Sequence, residues 1–256
     1  MTSAPATIDT LDLKWQVSDK FKPDKTEEWS FPANKDGWVL AHNMLRGEIN
    51  AFIKAIESIS AKFPNATPSW AVESIQKFWL HHESVVHDHH DNEDNLMTPF
   101  MKTRIVLPEK LEDDHVAVVA LINEVSSVAK NLKDGESLDH LLSVATSYKE
   151  ALFPHLEEEE EIALPLLRSY FTPEEVKPIT MQIIKKIQKD ESGSFIHFMG
   201  EEYFRSTFMK QEGIPFFVWY LKFKGDYESF SNNVHSHIEA LNKGVPITVE
   251  KATMLC

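Results

Sequence analysis

Two segments of the chain repeat the same arrangement of metal-binding residue types. In each, a glutamate follows a histidine by four residues, His89 with Glu93 and His155 with Glu159, and a proline lies six residues further on. On an α-helix, residues i and i+4 lie on the same face, so each segment presents an imidazole and a carboxylate to one point. Two such helices facing each other offer nitrogen and oxygen ligands, which suit iron or manganese. The repeat therefore predicts a metal site, and favours two ions over one.

Two further histidines lie on the apolar faces of the helices predicted before these segments, so that a histidine helix followed by a His-x-x-x-Glu helix occurs twice. The candidate metal ligands are therefore His42, His89, Glu93, His115, His155 and Glu159. Burying two carboxylates without a cation or a proton as partner would cost several kcal/mol. This cost favours a metal over a packing role. With one ion in each half, each ion takes two imidazoles and shares both carboxylates as bridges.

The elements that position these residues are predicted from apolar side chains that recur with a helical period. Four such stripes, joined by shortish connections, predict an all-α fold, an antiparallel up-down four-helix bundle with additional C-terminal helices. Asp36 is a predicted N-cap of the first helix. We expect an irregular N-terminal arm over residues 1–34, the metal-binding bundle over 35–170, and a helical extension packed on the bundle over 171–256.

The composition excludes several classes of protein. The net charge of −14 argues against nucleic acid or an anionic membrane as the main partner, since both select basic surfaces. No stretch approaches the roughly 18 apolar residues of a membrane span, and the first 30 residues lack the apolar core of a signal peptide. The single cysteine, Cys256, builds no disulfide or thiolate site. A cytoplasmic location is expected.

In order and spacing, these motifs resemble the hemerythrin-like, or HHE cation-binding, family. The resemblance rests on His42 with Arg46 one turn later, on His115, and on the two His-x-x-x-Glu-acid segments with their prolines, and it covers roughly residues 35–170. It implies a four-helix bundle that holds two non-haem iron ions, with manganese or zinc as alternatives. It also implies O₂ or another small molecule as the ligand of the metals.

Within that family, the resemblance is not to the oxygen-carrying branch. That branch has five histidines, two of them four residues apart on the third helix. Here Leu111 and Val119 occupy the positions four residues from His115. A set of four histidines and two glutamates looks closer to the iron-sensing domain of the F-box ubiquitin-ligase subunit, although the chain shows no F-box and no leucine-rich repeats.

Three functions are compatible with these residues. The first is a di-iron protein that binds O₂ or iron in a sensing, binding or redox role. The second is a di-iron oxidase or oxygenase acting on a small organic substrate, which predicts a cavity from the metals towards Phe195, Phe216, Phe217 or Trp219. A distant third, an HD-type phosphohydrolase, rests on the doublets His87-Asp88 and His90-Asp91. Whether the protein is an enzyme stays open at this level.

The remaining polar residues have weaker patterns. Glu160 and Asp94 are predicted partners of ligand imidazoles. Arg46 is expected either to pair with one of these acids or to form a surface salt bridge. His82 is a fifth ligand, a hydrogen-bond donor to a ligand, or a histidine at the edge of the core. Tyr148 either donates a hydrogen bond to a metal-bound oxygen or, the favoured role, packs in the core. We expect His81, His87 and His90 to lie at helix boundaries or in solvent. The apolar segment 213–223 is expected to contact either the bundle or another subunit, and the second alternative would make the protein a homo-oligomer.

Overall fold

A computed structural model describes residues 28–247, and this range contains helices and no β-strand. Most of the predicted N-terminal arm, and Cys256, lie outside the described residues. The bundle helices are α1 (Gly37–Lys62), α2 (Ser69–Asn92, then Glu93–Met97 and Thr98–Met101), α3 (Glu109–Asn131) and α4 (Asp139–Glu158, then Glu159–Ala163 and Leu164–Tyr170). The extension comprises α5 (Pro173–Lys186), α6 (Lys189–Met199), α7 (Glu201–Tyr203, Phe204–Phe208 and Met209–Gln211) and α8 (Trp219–Phe223, Lys224–Phe230, Ser231–His235 and Ser236–Lys243).

The first four helices form a closed bundle, as the periodicity predicted. Each packs against the next in the chain, and α1 also packs against α4. The apolar stripes meet inside, where Phe52, Phe78, Ile122 and Leu152 are almost fully buried. The Asp36 carboxylate caps α1 by accepting a hydrogen bond from the Trp38 backbone N–H at 3.2 Å. The predicted fold class is therefore confirmed.

A wide π-helical turn begins at each of the two glutamates of the repeat. The Thr98 backbone N–H donates to the Glu93 carbonyl, and the Leu164 N–H donates to the Glu159 carbonyl, five residues back in each case. The next residue is a proline in both helices, which has no N–H to continue the ladder. Such turns are frequent at functional sites. The sequence repeat is thus also a repeat of local backbone structure.

The extension packs on one side of the bundle. The last segment of α8 lies against α1 and α2, and α6 lies between α1 and α8. Gly193 permits the close approach of α6 to α8, because a Cβ atom there would lie 2.3 Å from the Asp226 carbonyl oxygen. In the described range no helix has the length and apolarity needed to cross a bilayer.

The predicted apolar segment 213–223 is only half docked. Trp219 and Phe223 are buried in a cluster with Phe204, whereas Phe216 and Leu221 remain largely exposed. Contact of this exposed face with another subunit stays a prediction, as do the domain boundaries.

Candidate metal centre

The six predicted ligands come together in the middle of the bundle. Each bundle helix contributes one of their imidazoles, and α2 and α4 each add a carboxylate. His42 and His155 are at most 2% exposed, and both glutamates are at most 5% exposed. The imidazoles fall into two pairs: His42 lies edge-on to His89 with ring centroids 5.0 Å apart, and His115 lies edge-on to His155 at 4.8 Å.

The Glu93 carboxylate faces both pairs. Its Oε1 lies 3.2 Å from Nε2 of His89 and 3.7 Å from Nε2 of His42, whereas its Oε2 lies 3.6 Å from Nε2 of His115. One oxygen therefore belongs to each half of the site, which is the arrangement that a bridging ligand requires.

The Glu159 carboxylate is oriented in the same way from the opposite helix. Its Oε2 lies 3.4 Å from Nε2 of His42, and its Oε1 lies 3.3 Å from Nε2 of His115 and 3.7 Å from that of His155. The two halves of the sequence repeat thus face each other, and each supplies one carboxylate that spans the site.

The prediction for His90 was wrong. Its side chain is 3% exposed and stacks on His115 with a centroid distance of 4.5 Å, while the His155 ring lies 5.6 Å away. His90, His115 and His155 form one group with metal-ligand spacing; His42, His89, Glu93 and Glu159 form the other. A signal for His90 was available, because residues i and i+3 also share a helix face and Glu93 follows His90 by three.

Several buried polar atoms of these residues lack a hydrogen-bond partner. These buried atoms are Nε2 of His42 and His89, both ring nitrogens of His90 and His155, and Oε2 of Glu93 and Glu159. Buried polar atoms are normally paired, and leaving each one unpaired costs about 1–3 kcal/mol. Metal ions would use one ring nitrogen of each imidazole and the carboxylate oxygens, so the residues present fit the metal centre implied by the sequence. With nitrogen and oxygen donors and no thiolate, the set suits iron, manganese or zinc.

The outer ring nitrogens of two imidazoles are held by acids, as predicted. The Nδ1–H of His42 donates to Glu160 Oε1 at 2.8 Å, and Arg46 donates to the same oxygen at 2.6 Å. The Nδ1–H of His115 donates to Asp94 Oδ1 at 2.9 Å. Such bonds fix the tautomer and leave Nε2 as the coordinating atom.

The pKa values of the five histidines separate into two classes. Burial lowers the pKa of His42, but Glu160, Glu93 and Glu159 outweigh it and raise this pKa to about 9. Burial also lowers the pKa of His115, but Glu159 and Glu93 outweigh it and raise this pKa to about 9. Burial and the neighbouring imidazoles lower the pKa of His90 to about 2. His155 falls to about 4 and His89 well below its usual value, again mainly through burial.

Glu93 shows the electrostatic strain between the two carboxylates. Burial and the neighbouring Glu159 raise its pKa, and His42 partly opposes this. Trp38 adds a neutral contact, because its indole N–H donates to Glu93 Oε1 at 2.7 Å. A cation between the two carboxylates would remove the repulsion.

Two residues that were candidates for the centre belong to a separate network one to two turns away. Nδ1–H of His82 donates to Glu48 Oε2 at 2.7 Å, and the Tyr148 hydroxyl donates to its Nε2 at 3.1 Å. His81, which was expected at a boundary or in solvent, instead donates to Glu48 Oε1 at 2.9 Å. Ser194 of α6 donates to the same carboxylate. We call Glu48, His81, His82, Tyr148 and Ser194 the Glu48 network.

A cavity of about 410 Å³ lies beside the centre, between the bundle and the extension. His89 and Glu93 line its inner end, and Phe195, Phe204, Phe208 and Phe223 line its outer wall. Of the four aromatics predicted for such a cavity, Phe195 is among the lining residues, whereas Phe216, Phe217 and Trp219 are not.

The comparison with protein families returned one match. The family described as "Hemerythrin HHE cation binding domain" matches residues 35–167, which include all four bundle helices up to Leu167. No curated protein and no solved structure matches the chain.

Proposed function

Because the chain belongs to the hemerythrin HHE cation-binding domain family, and so is a metal-binding protein of hemerythrin type, we propose that its bundle holds two iron ions and binds O₂ or iron in a sensing, binding or redox role. The proposed ligands are the six predicted residues together with His90. Iron bound at such a site supplies reversible one-electron redox chemistry and coordination positions for a small ligand.

The observation that carries the proposal is the disposition of the two carboxylates. Glu93 and Glu159 each direct one oxygen towards His42 and the other towards His115. A single ion would use one half of this arrangement and leave the second group of imidazoles unpaired. Two ions account for both groups, and for the burial of two acids whose ion-pair partners among the described residues are histidines.

His90 changes the comparison within the family. With His90, the site offers five imidazoles and two carboxylates. The imidazoles are unequally divided: three lie in one group and two in the other. The fifth imidazole comes from α2 rather than from the third helix. A count of four histidines argued against reversible O₂ binding. With five imidazoles, we propose that the number of ligands is compatible with it.

A second candidate function is oxidation of a small organic molecule. The observation that favours it is the cavity that reaches His89 and Glu93. It would be shown by O₂ consumption that depends on added substrate. The phosphohydrolase alternative has less support, because Asp91 of its second doublet is exposed and lies outside both ligand groups, while Arg46 is paired with Glu160. We also propose a cytoplasmic location, on the composition alone.

Metal analysis combined with an optical spectrum of protein purified in air tests the main proposal. We expect two irons per chain and charge-transfer absorption in the near-ultraviolet and visible range. Bleaching by dithionite and recovery in air would show that the pair is redox-active. A colourless protein that carries one zinc ion would contradict the proposal.

A further inference from the structure

The walls of the cavity beside the centre are predominantly apolar. Met44 and Met97 from the bundle face Phe204, Phe208 and Phe223 from the extension across it. Its volume of about 410 Å³ lies within the range of roughly 300–1,000 Å³ that ligand pockets occupy. Protein interiors are otherwise packed to nearly crystalline density, so a space of this size between two apolar surfaces of the described residues can accept a ligand.

Helix α5 covers this cavity without filling it. Its residues Val176, Thr180, Ile183 and Ile184, and Ile187 directly after its end, recur with helical spacing and all line the cavity. Three of them, the isoleucines, remain only half-buried, although α5 is otherwise flanked by exposed lysine and glutamine residues. The apolar face of α5 is therefore directed at the void, as expected of a wall that contacts a ligand.

The charges around the cavity discriminate between classes of apolar molecule. Among the lining residues, the exposed Glu174 and the half-buried Glu212 occur with the exposed Lys177 at the outer part of the cavity, whereas Lys222 is paired with Asp226 at 2.5 Å. This outer part therefore has an excess of acid, which repels the head group of a fatty acid or another organic anion. An uncharged molecule with an apolar body meets no such penalty.

The inner end of the cavity lies against the metal centre. Trp38 lines the cavity and donates its indole N–H to Glu93, and His89 lines the cavity on the other side of that carboxylate. We propose that the cavity is a binding site for an uncharged, elongated apolar molecule, held with one end beside His89 and Glu93. That the bound molecule lies next to metal ions rests on the proposed function; that the cavity binds it does not.

Binding is tested with the neutral dye N-phenyl-1-naphthylamine, whose fluorescence rises in apolar surroundings, on the full chain both metal-loaded and metal-free. We expect saturable binding in both forms, and displacement by 1-decanol at a concentration at least about tenfold below that needed for decanoate. Thr180→Trp fills the cavity from α5 and should weaken dye binding about tenfold or more. Gln182→Trp, on the exposed face of the same helix, should not change it.

Each result has a defined consequence. Equal dye binding by the two tryptophan variants, or displacement by decanoate as readily as by decanol, would overturn the proposal. A folding defect in Thr180→Trp would mimic lost binding. Its helical circular dichroism and metal content are therefore compared with those of Gln182→Trp. Ile184→Asp serves as a second cavity variant, which should also weaken dye binding. Dye binding without any bound iron would refute the proposed function but retain the cavity site. Bound iron without dye binding would refute the cavity site but retain the proposed function.

Discussion

The bundle contains two buried groups of histidine and glutamate, both built partly on α1 and α2, and they differ in what their polar atoms contact. In the Glu48 network, both oxygens of a fully buried carboxylate accept hydrogen bonds, from His81, His82 and Ser194. In the metal centre, ring nitrogens and carboxylate oxygens at similar depth have no partner. Residue type and burial are thus alike in the two groups, and only the satisfaction of the lone pairs separates them.

The difference also appears in the electrostatics. Burial raises the pKa of Glu48, but His81 and His82 outweigh it and hold that pKa far below its usual range. Glu93 has two imidazoles within 3.6 Å and yet a raised pKa, because burial raises it and a second buried carboxylate, Glu159, adds to that effect. A paired carboxylate among histidines stabilises the fold directly. Two carboxylates that face each other need a cation or a shared proton between them, and this distinguishes the candidate metal site from the structural network.

Removing a bridging carboxylate should have the largest effect. We expect Glu93→Ala and Glu159→Ala each to abolish the paired-metal site, because each deletes one ligand of both ions. Metal content per chain and the charge-transfer absorption measure the loss. Glu161→Ala is the matched control, since Glu161 is exposed two residues from Glu159. Full metal occupancy in both glutamate variants would refute the ligand assignment.

The corresponding change in the Glu48 network should affect stability instead of metal content. Glu48→Ala leaves His81, His82 and Ser194 without their shared acceptor, and removing one partner of a buried ion pair costs about 3–5 kcal/mol. Urea unfolding of the metal-free protein measures the loss, with the exposed Glu57→Ala on the same helix as control. If Glu48→Ala instead lost its metals while its folding was unaffected, the division into two groups would be wrong.

Substitutions of His90 and His82, which both lie on α2, compare the two groups within one helix. We expect His90→Ala to lower the metal content from two ions per chain to about one, because it removes a nitrogen from only one of the two groups. His82→Ala should retain both ions but destabilise the protein by about 1–3 kcal/mol, since Glu48 and Tyr148 lose a buried partner. His87→Ala controls for both. Unchanged metal content in His90→Ala would show that His90 packs beside the site and is not a ligand.

The fold and most of the centre were predictable because they follow from local spacing. The apolar period determined the four helices, and the four-residue separation of His89 and Glu93 placed both on one face. The prolines after each glutamate were visible in the sequence, although the π-helical turns that precede them were not predicted. The acids that hold His42 and His115 were correctly predicted from their position next to the ligands.

The errors concern contacts that depend on how helices pack. His81 and His90 each follow or precede an inward histidine by one residue, which turns them about 100° around the helix. Whether such a side chain is buried depends on the neighbouring element: α6 supplies Ser194 beside Glu48, and α3 supplies His115 beside His90. The cavity lies between the bundle and α5, and no local pattern specifies the distance between two separate surfaces.

The smallest of these effects should come from the acids that hold the outer ring nitrogens. Glu160 accepts from His42 and from Arg46, so Glu160→Ala frees the His42 ring to rotate and makes it a weaker base. Loss of such a partner typically weakens metal binding by about 10–100-fold without removing a ligand. We therefore expect Glu160→Ala to hold both ions at saturating metal and to lose one first during titration with a chelator. Glu157→Ala, exposed on the same helix, should follow the wild type. In the Glu48 network we expect no such stepwise loss of metal during a chelator titration. Its members are direct hydrogen-bond partners of one another, and their orientation does not determine the affinity for a metal. A chelator titration that could not separate Glu160→Ala from Glu157→Ala would mean that packing alone orients His42.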